Sequence, residues 1–174
     1  VNKLILDQTQ FNGLVGKICR DITFSGWKPD YIVGITRGGL LPAVMISHWF
    51  NVPMKSLDVS LRDGGETVSN FGMAEDAYGF NGEIGQQAAP NILVVDDIND
   101  TGATFNWIME DWQSSCLPND ARWNHVWNQN VKFAVIVDNL ASKCNVKMDF
   151  AGIEVDKSDK DVWIEFPYEE WWTK

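Results

Sequence analysis

Cations are what this sequence is shortest of. Fourteen Lys and Arg stand against 24 Asp and Glu, for a net charge of −10, and no basic residue falls between Arg62 and Arg122. A basic stripe able to follow a nucleic-acid backbone is hard to assemble from such a set, so no nucleic-acid partner is expected. Long apolar runs are missing too: nothing approaches the roughly 18 residues of a membrane span, and no signal peptide or polybasic tail stands out. A soluble, cytoplasmic protein without a membrane partner is the expectation. Cys19, Cys116 and Cys144 are odd in number and lack metal-like spacing, which predicts reduced thiols. His48 and His125 are too few and too scattered for a histidine metal site. The Gly-x-x-x-x-Gly-Lys-Ser/Thr phosphate loop is absent, and Gly79, Gly82 and Gly85 neither follow a strand nor open an apolar helix. No repeat or low-complexity segment occurs. With 174 residues, 45% of them apolar, the chain can fill one core and is too short for two independent domains.

What is present concentrates in residues 92–104. Ile92, Leu93, Val94 and Val95 read as a buried strand, Asp96 and Asp97 mark its carboxyl end, and Asp100, Thr101 and Gly102 read as a tight turn opening a helix. At the carboxyl end of a parallel strand a ligand meets a crevice, and at a helix start it meets unpaired N–H groups and the positive end of a dipole. Thr101 and Thr104 add hydroxyls. An anionic phosphate fits this turn, with Asp96 and Asp97 holding sugar hydroxyls or a divalent ion beside it. The plain alternative is ordinary loop chemistry, and the length of the pattern argues against it.

The same strand, turn and helix sequence occurs earlier. Residues 31–35 form an apolar strand, Thr36, Arg37, Gly38 and Gly39 a turn, and residues 40–50 have helical apolar spacing with Pro42 tolerated in the first turn. Gly38 and Gly39 let backbone N–H groups approach an anion, and Arg37 offers a fork that matches phosphate oxygens.

Residues 92–104 resemble the phosphoribosyl diphosphate (PRPP) motif of type I phosphoribosyltransferases, and residues 35–40 resemble the diphosphate loop of the bacterial xanthine-guanine and hypoxanthine enzymes. Asp149-Phe150 and the segment from Asp161 through Trp163, Ile164, Glu165 and Pro167 to Glu169 are similar to that family's carboxyl-terminal Asp-Tyr and Trp-Ile-Glu-x-Pro-Trp segments. The resemblance implies an α/β fold with a mostly parallel central sheet flanked by helices. It would form a single domain over residues 1–174, with a core of about 27–140 and a small hood from about 1–13 and 141–174. It implies transfer of the 5-phosphoribosyl group of PRPP to a purine, a 6-oxopurine favoured, with Mg2+ as cofactor and a homodimer or homotetramer as assembly. Thr36, Arg37, Gly38, Gly39, Asp96, Asp97, Asp100, Thr101, Gly102, Ala103 and Thr104 would bind PRPP, and Asp96 and Asp97 the metal. Asp100 would act as general base and Arg37 as the second catalytic group, while Asn139, Lys143, Trp163 by stacking and Ile164 through its backbone groups would receive the base. A cis peptide between Thr36 and Arg37 is expected on the same grounds. A non-catalytic PRPP-binding or nucleotide-binding regulator of the same fold is the rival reading, and magnesium-dependent phosphoryl transfer a weaker one.

Two departures from the family pattern bear on function. Ser60-Leu61 stands where relatives tend to have Ser-Tyr, and the glycine-rich stretch 62–90, whose length and weak periodicity point to a functional lid, a hairpin or disorder and which the resemblance implies is a flexible loop closing on the reaction, carries no cation beyond Arg62. The strand over residues 132–137 ends in Asp138-Asn139, where purine-salvage relatives place a Lys that donates to the 6-oxo group. Elsewhere, Thr9 is placed to cap a helix with Phe11, Leu14, Val15, Ile18 and Ile22 on one face, ended by Gly26 and Pro29. A strand is expected over 54–61, a helix over 105–115, and an insertion over 116–130.

Overall fold

The computed structural model describes residues 2–59, 71–80 and 88–174. In chain order its elements are β1 (Asn2–Ile5), α1 (Gln8–Ser25), β2 (Tyr31–Ile35), α2 (Leu40–Phe50), β3 (Met54–Leu57), α3 (Phe71–Tyr78), β4 (Ile92–Asn99), α4 (Ala103–Ser115), β5 (Val131–Asn139), β6 (Phe150–Val155) and β7 (Val162–Glu165). Five strands make one sheet in the order β3-β2-β4-β5-β6, every pair parallel. From β2 the chain first moves outward to β3 and then crosses back to β4 on the other side. The direction of winding reverses between β2 and β4, which opens a crevice at their carboxyl ends.

Helices cover both faces, so the central strands are apolar on both sides instead of alternating. Val33, Ile35, Ile92, Val94, Phe133 and Val135 pack with α3 and α4. Ile32, Leu93, Val95, Ala134 and Ile136 pack with α1 and α2. Buried Phe11, Val15, Ile18 and Ile22 form the expected face of α1. Its cap is Asp7, not Thr9: the Asp7 carboxylate accepts from Gln10 N–H at 2.7 Å, and the Gln10 side chain accepts from Asp7 N–H at 2.9 Å. This reciprocal box satisfies two end donors, which a threonine inside the first turn could not do.

Four further differences from the sequence expectation have local causes. β3 ends at Leu57, and residues 60–61 of the longer strand expected there lie outside the described residues. The stretch expected as a lid, a hairpin or disorder contains a helix, α3, whose Met73, Ala74, Ala77 and Tyr78 are buried against α4 and the sheet; an eight-residue helix is too short for its periodicity to stand out. Residues 62–70 and 81–87 of that stretch, Arg62 among them, lie outside the described residues. The strand carrying the acidic pair runs on to Asn99, because Ile98 and Asn99 still pair with Val137 and Asp138. Residues 150–155 join the main sheet as its edge strand β6, and outside it β1 and β7 form a two-stranded parallel sheet. Within residues 116–130, Trp123 stacks on Trp127 with ring centroids 5.6 Å apart, closing the α4 face. Among the described residues no helix is long and apolar enough to cross a membrane.

Candidate active site

Both turns singled out in the sequence lie at the crevice between β2 and β4. After β2, the peptide between Thr36 and Arg37 is cis. Thr36 N–H donates to Leu57 O at 2.9 Å and the Thr36 hydroxyl to Asp58 at 3.1 Å. Gly39 lies so close to Val95 O and Ile35 that no side chain fits, and a Cβ on Gly38 would fall on the Asp97 carboxylate. The loop therefore presses its backbone against β4, while the Arg37 side chain is exposed.

After β4, Gly102 takes a left-handed conformation (φ 89°) at the start of α4. The Thr101 hydroxyl accepts from Ala103 N–H at 3.2 Å, leaving first-turn donors of α4 for an incoming anion. A cavity of about 160 Å³ follows this turn from Asp96 to Phe105. The turn is braced from behind: Lys143 N–H donates to Thr101 O at 2.9 Å, Asn106 donates to Lys143 O at 3.0 Å, and Gly102 abuts the Cys144 backbone. Lys143 thus reaches the site through its main chain, and its side chain is exposed.

The acidic pair divides into two environments. Burial, and then the neighbouring Asp97 charge, push the Asp96 carboxyl well above the usual carboxylate range, although it accepts from Asp97 N–H at 2.9 Å. Asp97 accepts from the Tyr168 hydroxyl at 2.9 Å, and the same hydroxyl lies 3.3 Å from Gly38 O. Tyr168 stacks on Phe166 with ring planes 2° apart and meets Phe11 edge-on, so the carboxyl-terminal segment holds it firmly beside both the diphosphate-type loop and the acidic pair. Burial and the Asp97 charge raise the Tyr168 phenol and keep it protonated as a donor. Beneath it a cavity of about 630 Å³ is bounded by Arg37, Gly38, Asp97 and Trp172 among others.

Asp100 stands at the far side of the crevice. Its carboxylate accepts from Lys157 Nζ at 2.8 Å, and its backbone carbonyl accepts from the Asn139 amide at 2.8 Å. Asn139 is buried, and its own carbonyl accepts from Ala141 N–H and Lys157 N–H, each at 3.1 Å. The amide expected to read a base is therefore engaged on every side in holding the backbone. Trp163 is 55% exposed, whereas Ile164 beside it is buried in the core. The structure leaves the indole face open and gives the isoleucine side chain a packing role.

Lys157 and Tyr168 are the site residues that sequence reasoning missed. A signal for Lys157 existed in a cation two residues beyond the Phe150–Val155 strand, but that strand is short and its alternation is weakened by Gly152. Tyr168 carried no signal of its own, since nothing local shows that it returns to Asp97.

Comparison with known proteins agrees with this geometry. A family model described as the phosphoribosyl transferase domain matches residues 2–171. The hypoxanthine-guanine phosphoribosyltransferase of Schizosaccharomyces pombe is 23% identical over 164 residues, covering 82% of this chain and 78% of that one. Among solved structures, a purine phosphoribosyltransferase from Pyrococcus horikoshii superposes with a TM-score of 0.67 at 25% identity, covering 98% of this chain and 96% of its own. The xanthine-guanine-hypoxanthine phosphoribosyltransferase of Helicobacter pylori gives 0.67 at 15% identity, covering 99% and 97%. With nearly its whole length matched, and with both phosphate turns and the acidic pair meeting at one crevice, the chain belongs to the phosphoribosyl transferase domain family.

Proposed function

We propose that this protein is a purine phosphoribosyltransferase that joins a purine base, a 6-oxopurine by preference, to the 5-phosphoribosyl group of PRPP in nucleotide salvage. The observation that carries the reading is the convergence of the 36–39 turn, the acidic pair and the 100–104 turn on one crevice, in the order that diphosphate, ribose and 5′-phosphate follow along PRPP. Residues 101–104 cradle the 5′-phosphate at the start of α4, and Thr36, Arg37, Gly38 and Gly39 receive the diphosphate.

Asp96 and Asp97 fit a magnesium ion. Two adjacent carboxylates, one of them desolvated, in a site with few side-chain cations suit an ion that keeps several waters and takes its remaining oxygens from substrate phosphates. When bound, it would offset charge on the diphosphate and orient the sugar. The chain's own residues position the rest: Tyr168 aims Asp97, and Trp163 offers an open ring face for stacking on the base. In the displacement the purine N9 bonds to C1′, the bond from C1′ to the diphosphate oxygen breaks with the electron pair leaving on diphosphate, and the N7 proton passes to Asp100. The transition state has cationic sugar character, so positioning and charge stabilisation dominate. A cytoplasmic location and assembly as a homodimer or homotetramer belong to the same reading; Leu41, Val44 and Trp49 on α2 are exposed apolar side chains that such an assembly would cover.

The test is product formation from PRPP and magnesium with a panel of purine and pyrimidine bases. Nucleoside monophosphate from hypoxanthine, guanine or xanthine is the expected result. Tight PRPP binding without turnover on any base would leave a regulatory binding module instead.

A further inference from the structure

We propose that Lys157 is the specificity residue of the base pocket, and that with Asp100 it forms a paired donor and acceptor matched to the O6 and N7–H of a 6-oxopurine. The inference rests on the reading above. It starts from a gap: β5 ends without a cation, Asn139 is committed to the backbone, and the Asp138 carboxylate accepts from Asn99 at 2.9 Å. Asn139 turns its amide donors to Asp100 and Asp138 is a carboxylate, so neither residue offers a donor to a ligand oxygen.

The neighbouring strand supplies what β5 lacks. β6 pairs with β5 in parallel, with Val155 opposite Asn139, so Lys157 crosses the carboxyl end of β5 two residues later. Its N–H donates to the Asn139 side chain at 3.1 Å, which fixes the crossing point. From there Nζ reaches Asp100 at 2.8 Å, with its side chain only 14% exposed, and Asp161 lies further off at 3.7 Å. The ammonium has three protons, and the bond to Asp100 uses one. Asp100 is 45% exposed, and among the described residues its second oxygen holds no hydrogen bond, so the carboxylate can still accept.

O6 and N7 lie side by side on one edge of the purine. A base protonated at N7 presents an acceptor and a donor there, and the Lys157 and Asp100 pair presents a donor and an acceptor at hydrogen-bond spacing. Adenine places an amino donor where the ammonium stands, and the mismatch leaves a desolvated cation facing N–H groups. The residue that orients the proton acceptor is thus the same one that rejects the wrong base.

The test compares wild type with Lys157→Met, which keeps the aliphatic stem, and Lys157→Arg, which keeps a donor. Binding of GMP, AMP and PRPP is measured by calorimetry, alongside turnover of hypoxanthine and adenine. Wild type should bind GMP more tightly than AMP. Lys157→Met should narrow that ratio by about tenfold or more, leave PRPP affinity unchanged, and be partly rescued by Lys157→Arg. A ratio unchanged in Lys157→Met, with all purines weakened alike, would overturn the inference and leave Lys157 as a clamp on Asp100. Absence of turnover in wild type alongside a collapsed GMP to AMP ratio in the variant would instead overturn the enzymatic reading and support the role of Lys157.

Discussion

Asn139, the last residue of β5, donates its side-chain amide to the backbone carbonyl of Asp100 at 2.8 Å and so ties the end of β5 to the phosphate turn that follows the neighbouring strand β4. Its carbonyl receives Ala141 N–H and Lys157 N–H in return. Removing this side chain leaves partly buried backbone groups on three segments without this partner. Asn139→Ala should therefore destabilise the fold by about 1–3 kcal/mol and lower turnover, because the turn and Lys157 both lose their anchor. Thermal melting and parallel assays on hypoxanthine and adenine check this. A selective change in base preference with unaltered stability would return Asn139 to the base pocket.

Adjacent glycines in the 36–39 turn predict opposite phenotypes. A methyl on Gly38 meets the end of the Asp97 side chain, which can swing aside, whereas a methyl on Gly39 meets the Val95 carbonyl and the Ile35 backbone, which cannot. Gly38→Ala should fold with nearly wild-type stability and lose PRPP affinity, since Asp97 leaves its place beside Tyr168. Gly39→Ala should cost about 1–3 kcal/mol of stability or more. Melting curves and PRPP titrations on the two variants separate the effects, and equal destabilisation would contradict this account.

Asp100→Asn keeps the size and turn-forming character of the side chain. Phosphate binding on residues 101–104 should survive, while turnover should fall by about 100-fold or more with the proton acceptor gone. The measurement is kcat at saturating PRPP beside the PRPP dissociation constant. An unchanged kcat would remove Asp100 from the chemistry.

How much of this was legible beforehand follows from the range of the interactions involved. The two turns are local: a buried strand, a few special residues and a helix occupy about a dozen contiguous positions, and their spacing alone locates the crevice. The five-stranded order is not local, but double burial of strands such as Tyr31–Ile35 already requires helices on both faces. What escaped were contacts between residues distant in sequence. Lys157 meets Asp100 across 57 positions and Tyr168 meets Asp97 across 71, and no periodicity reports such a meeting. Asn139 shows the converse: its position at a strand end was readable, but whether its amide faces a ligand or its own backbone depends on the path of residues 141 and 157.

The acidic pair carries a stability cost that pH should expose. In the unfolded chain Asp96 loses its proton near the ordinary value of about 4; in the folded protein burial and the Asp97 charge hold that loss to a higher pH. Between the two values the folded state binds more protons, so stability falls as pH rises and the cost is complete once Asp96 ionises. Asp149, raised chiefly by burial despite bonds from Phe133 and Asn128, and Glu169, also raised by burial, act in the same direction. The ligand-free protein should melt at a higher temperature near pH 5.5 than at pH 8. Asp96→Asn keeps an acceptor for Asp97 N–H and removes the charge, so at pH 8 it should be more stable than wild type. A gain of about 1 kcal/mol corresponds to roughly 2–4 °C in a domain of this size. The same variant should bind magnesium and PRPP more weakly, and magnesium with PRPP should stabilise wild type at pH 8 far more than the variant. Melting series at both pH values, with and without those ligands, decide the matter: a destabilised Asp96→Asn at pH 8 would mean that the carboxylate is held by favourable contacts and not tolerated for its ligand.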